Sequence, residues 1–209
     1  MASSMIHIAI TNELNKKLNR NSKELLIGTI APDISKLIGE NKVKSHFLDS
    51  DKTDIPNLEK FLDKYKSNLD NDFVLGYYLH LYVDYLWFNY FMPEVYHKNL
   101  IKKLDGTIVK CNGRMVSQYI YNDYTNLNIK LIDEYNLDLE IFYEELPEFK
   151  NIIEEIPYDK IKLIIDKAGL IIKNTKEHKS FIFNMEHIKQ FIKMSIELIE
   201  SNLKELNLL

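Results

Sequence analysis

The stretch LGYYLHLYVDYLW, residues 75–87, sets His80 and Asp84 four positions apart inside an otherwise apolar and aromatic run. On a helix such residues differ by about 40° and share a face. A buried, unpaired carboxylate is costly, so Asp84 requires compensation. The imidazole can hydrogen-bond to it as a local structural pair. Alternatively both side chains can ligate a cation, since imidazole nitrogen and carboxylate oxygen are ordinary zinc donors. HxxxD alone fits either.

Three further polar residues sit in apolar surroundings: His7 in IHIAI, Asp33 in GTIAPD and His46 in KSHF. Taken singly, His7 fits a satisfied core histidine, Asp33 a cap for ISKLI and His46 a surface loop. Together with His80 and Asp84 they make three imidazoles and two carboxylates, enough for one saturated site or for two metals sharing a carboxylate. Asp123 and Asn126, in YIYNDYTNLN, share a helix side and could support a ligating imidazole from behind. A surface acid bonded to tyrosine fits Asp123 as well. Ser45 reads as a structural hydroxyl, because no glycine-flanked nucleophile turn surrounds it. Trp87, Tyr77 and Tyr119 fit either a substrate channel or the core.

The elements that must position these residues have helical period. Ile6, Ile10, Leu14 and Leu18 form one stripe, although IHIAI alone would also pass for a strand. ELLIGTIAP predicts a short helix ending before Pro32. Pro56 suits the start of another, and 70–72 can cap a long helix running to about Phe91, stopped by Pro93. DGTIVKCNG, bracketed by Gly106 and Gly113, reads as a loop, with a small strand pair as the alternative. Helical spacing returns over 114–135, 139–146, from Pro157 onward and over 181–206. The expectation is an all-α single domain over 1–209 with seven or eight helices. Residues 36–56 are its nearest approach to a linker.

Composition narrows the function classes. With 209 residues, 45% hydrophobic and 28% charged, the chain can bury a substantial core without a metal to staple it. Cys111 is the single cysteine, which excludes an intrachain disulfide and fits a reducing compartment. The net charge of -4 and the interspersed lysines give no strong nucleic-acid signal. Neither a signal-peptide pattern nor a long apolar span is present, so the expected location is cytoplasmic.

The ordered series His7 in IHIAI, GTIAPD ending at Asp33, KSHF containing His46 and GYYLHLYVDYLW with His80 and Asp84 resembles the zinc-dependent phospholipase C and S1/P1-type nuclease superfamily. The likeness is to its bacterial phospholipase C-like hydrolase branch and covers about the first two fifths of the chain. It implies an all-helical fold and metal roles for His7, Asp33, His46, His80 and Asp84. It also implies that Asp33 orients or deprotonates the attacking water. Members of that superfamily carry a later HxxxE pair completing a three-zinc cluster, whereas neither His178 nor His187 has a glutamate four residues on. Their secreted members begin with a ligating tryptophan, and this sequence begins MASSM. One or two zinc ions are therefore expected. The activity implied is hydrolysis of a small phosphoester or phospholipid-like substrate by metal-activated water. The alternative is a non-catalytic, metal-stabilised binding or structural protein on the same scaffold.

Overall fold

The computed structural model describes residues 1–173 and 179–209. Its helices are α1 Ser4–Leu18, α2 Ser22–Ile30, α3 Ile34–Leu37, α4 Lys42–Ser45, α5 Leu58–Tyr65, α6 Asp72–Leu86, α7 Met92–Val95, α8 Gly113–Tyr135, α9 Ile161–Lys173 and α10 Met185–Glu205. Of these ten, α3, α4 and α7 are single turns and seven are longer, in line with the all-α expectation. Asparagine side chains cap α2, α4, α5, α6, α8 and α10 by accepting from the first free backbone N–H groups. These donors would otherwise lack partners, which is why short polar residues recur before each apolar run.

The centre of the fold is the crossing of α2 and α6. Both helices are glycine-bearing where they meet. A Cβ at Gly28 would lie 2.1 Å from the Phe73 carbonyl oxygen, and one at Gly76 would lie 2.0 Å from that of Leu25. Any side chain there would force the backbones apart. The sequence suggests that Gly76 leaves room beside the His80 imidazole. In the structure the backbone of α2 fills that room instead. Leu25, Ile27, Val74, Leu75 and Leu79 are fully buried around the contact.

Several expectations are corrected. The loop expected at DGTIVKCNG is partly strand: β1 Tyr96–His97, β2 Leu100–Lys102 and β3 Ile108–Lys110 form an antiparallel sheet in that order. Gly106, at φ +86, closes the turn between β2 and β3. Pro93 does not stop the helical run. After α6 the chain makes a π-helical turn over Trp87–Phe91, and Pro93 falls in the first turn of α7, where its missing N–H costs nothing. The helix expected over 139–146 is only a 3-10 turn, Glu140–Phe142, as a stretch that short cannot repay helix nucleation. Asn57 rather than Pro56 starts α5. The supposed linker at 36–56 contains α4 and packs inward through His46 and Phe47.

Candidate metal centre

Each sequence-singled residue arrives from a different element. His7 is on α1, Asp33 ends the 3-10 turn after α2, His46 caps the C-terminus of α4, and His80 and Asp84 lie on α6. All five are buried: His7, His80 and Asp84 completely, His46 to 1% exposure and Asp33 to 6%. Their ligand atoms converge. His80 Nε2 is 3.3 Å from His46 Nε2 and 3.6 Å from Asp84 Oδ2. His46 Nε2 is 3.7 Å from Asp33 Oδ1 and 3.8 Å from Asp84 Oδ2. On the other side of Asp84, Oδ1 lies 3.4 Å from His7 Nε2 and accepts the Ala2 N–H at 2.9 Å. The His7 and His80 rings stack, with centroids 3.9 Å apart. The atoms form two overlapping triads, His7–His80–Asp84 and Asp33–His46–His80.

The backbone explains the aim of each ring. Because α2 and α6 touch at their glycines, the Thr29 carbonyl reaches His80 Nδ1 at 2.7 Å. A carbonyl only accepts, so Nδ1 carries the proton and Nε2 presents a lone pair. His46 is held similarly. Its Nδ1 meets the Ser45 hydroxyl at 2.9 Å, and that hydroxyl donates to Ser35 Oγ at 3.0 Å. With the Ser45 proton directed to Ser35, His46 Nδ1 is the donor and its Nε2 also presents a lone pair. Phe47 follows with φ +53, a left-handed conformation that costs on the order of 1 kcal/mol for a bulky residue. Packing against Phe61, Tyr65 and Tyr77 offsets that cost, and the Tyr77 hydroxyl donates to the Ser45 carbonyl. The turn thereby points His46 at His80.

Two lone pairs now face each other, and protonation does not relieve them. Burial pushes His46 down to about 4, while burial and then His7 push His80 down to about 3. Asp33 Oδ1, Asp84 Oδ2 and both His7 nitrogens also have no hydrogen-bond partner. A cation answers this arrangement. Zinc at 2.0–2.1 Å from tetrahedral N and O donors separates those donors by about 3.3–3.4 Å. The observed spacings begin at that edge length, 3.3 Å, and run to 3.8 Å.

The centre is open at Asp33. Asp33 borders a cleft of about 260 Å³ that also touches Lys36, Tyr121, Tyr124 and Lys167. An adjoining cleft of about 450 Å³ shares Lys36, Tyr121 and Tyr124 and extends to Lys42, Trp87 and Phe88. Lys36 Nζ is 3.8 Å from Asp33 Oδ1. Burial opposes the Lys36 ammonium, but Asp33 and then Tyr121 outweigh it and raise its pKa. Burial likewise works against the Asp33 carboxylate, and Lys36 holds that carboxyl below its usual value. Lys36, one helical turn after Asp33, carried a signal in its spacing that sequence reasoning passed over. Thr29 carried none, because its carbonyl rather than its side chain does the work.

Other candidates sit elsewhere. Asp123 is fully buried, and its oxygens accept the backbone N–H groups of Phe181, Ile182 and Phe183 at 2.7–3.1 Å. Asn126 donates to the Ser180 hydroxyl. The observed partners of His80 and His46 are instead the Thr29 carbonyl and the Ser45 hydroxyl. His187 is exposed and completes the capping box of α10, and His178 lies outside the described residues. Trp87 packs on Phe91, Phe183 and Phe191, and Tyr77 is fully buried, so both serve the core, with Trp87 also bordering the larger cleft. Tyr119 lies beneath the Lys103 ammonium. Cys111 is free and buried at the end of β3.

No helix among the described residues is long and apolar enough to cross a membrane. Neither the curated proteins nor the solved structures contain a match. Residues 4–202 match the family described as zinc dependent phospholipase C, a span that includes all five convergent residues. With nearly its whole length matched and a donor set that fits zinc, this chain belongs to the zinc dependent phospholipase C family.

Proposed function

We propose that this protein hydrolyses a phosphoester at the Asp33 edge of the centre, with Asp33, His46, His80 and Asp84 holding one zinc ion. His80 offers a single free nitrogen, so it can complete only one of the two triads. His7 Nε2 and Asp84 Oδ1 remain as donors for a second ion, with Asp84 as the shared carboxylate. When bound, zinc supplies Lewis acidity toward a phosphoryl oxygen and makes water a stronger acid. Asp33 accepts the proton of the attacking water, being a carboxylate of the set that borders a cleft. Lys36 faces the anionic phosphoryl oxygens from the same cleft. Trp87, Phe88 and Met92 give the adjoining cleft an apolar wall for the organic part of a phospholipid-like substrate. The unpaired Cys111 supports a reducing compartment, the cytoplasm.

The observation that carries this reading is the open edge at Asp33. A purely structural metal site would be closed on all sides. Metal analysis of the purified protein, together with hydrolysis of bis(p-nitrophenyl) phosphate and a short-chain phosphatidylcholine, tests it. Zinc-dependent turnover that is lost in Asp33→Asn even when zinc is supplied in excess is the expected result. Bound zinc with no turnover of either ester would overturn it in favour of a non-catalytic metalloprotein.

A further inference from the structure

The chain carries a net charge of -4, yet residues 96–114 hold Lys98, Lys102, Lys103, Lys110 and Arg114 against Asp105 alone. This segment is the small sheet and its turns. The register pairs Leu100 with Lys110 and Lys102 with Ile108, so these four side chains share one face, while Ile101 and Val109 point to the other. Ile101 is fully buried; Ile108 is 65% exposed and Leu100 45%. Lys102 and Lys110 have no carboxylate partner among the described residues. The outer face thus alternates two ammonium groups that no carboxylate neutralises with two solvent-facing aliphatic side chains, the mixture of cation and apolar tip that suits an anionic interface.

We propose that this face is a docking surface for an anionic lipid bilayer. Lysines bind the headgroup layer electrostatically, and the aliphatic tips of Leu100 and Ile108 enter below it, the division of labour of interfacial segments. The charge complements the anionic cytoplasmic leaflet. A second copy of the chain is a poorer occupant. Strands of two and three residues bearing lysine are weak templates for strand addition. The proposal does not depend on hydrolysis, and its test reads binding alone.

The test is cosedimentation of the full chain with vesicles of phosphatidylcholine alone and of phosphatidylcholine mixed with phosphatidylserine. Wild-type protein is expected to favour the mixed vesicles. K102A/K110A should weaken that binding by on the order of 30-fold. L100S/I108S should remove the part that survives high salt. K52A/K162A, which removes equal charge elsewhere, should bind like wild type, and all variants should keep the wild-type circular dichroism. No preference for the mixed vesicles overturns the proposal, as does an equal loss in K52A/K162A. A concentration-dependent dimer in sedimentation velocity that L100S/I108S dissolves assigns the face to a second copy and also overturns it.

Discussion

Asp84 and Asp123 are both fully buried carboxylates on aromatic helices, and they are treated in opposite ways. Asp123 is saturated: three backbone N–H groups converge on its two oxygens and fasten the segment that leads into α10. Asp84 keeps Oδ2 without a hydrogen-bond partner, surrounded by imidazole nitrogens that present lone pairs rather than protons. A buried charge met by donors is a fastener; one met by other acceptors is a candidate ligand for a cation. The distinction lies in what surrounds the carboxylate, and neither VDYLW nor YNDYT records it.

The contrast can be broken most forcefully at the open carboxylate. If zinc is present at about 1,000 times its Kd, binding stabilises the fold by about 4 kcal/mol. For a chain of this size, chelation should then lower Tm by roughly 8–16 °C. Differential scanning fluorimetry with and without a chelator should show that shift in wild type and none in Asp84→Asn or His80→Ala. A shift that persists in both variants would remove them from the ligand set.

At the saturated carboxylate the outcome should be the reverse in kind. Asp123→Asn weakens charge-assisted hydrogen bonds and should cost about 1.5–3 kcal/mol, equally with and without chelator. A chelator-dependent loss would connect Asp123 to the metal centre after all. Gly76→Ala should cost about 1–3 kcal/mol through overpacking against Leu25. It should also reduce zinc affinity, because the Thr29 carbonyl and His80 can no longer keep their distance; competition with a chromophoric chelator reads this. Smallest in stability, Ser45→Ala should leave the unfolding free energy within about 1 kcal/mol of wild type yet weaken zinc binding by roughly 10–100-fold. Unchanged zinc affinity there would show that the Ser45 hydroxyl does not orient His46.

Much of the first half of the molecule was legible in the sequence. Apolar spacing of four marks α1, and capping residues before an apolar run mark the start of α6, because these signals are local. The convergent set was readable because each member is a polar residue in apolar company. Less legible were features that depend on partners distant in sequence. The strand pairing of Leu100–Lys102 with Ile108–Lys110 competes with a loop on equal local terms, and neighbouring contacts decide it. Asp123 reads locally as support for an imidazole, and only the distant 181–183 backbone reveals its partners. Gly76 reads locally as empty space, which the Leu25 backbone fills.

That glycine contact also governs when the centre comes into being. Backbone pressed on backbone at Gly28 and Gly76 requires no ion, so His80 is aimed before any metal arrives. An ion bound by this set would meet a finished slot and would not have to organise one. Loading should therefore leave the helical circular dichroism nearly unchanged, and a protein stripped of zinc should accept it again without refolding.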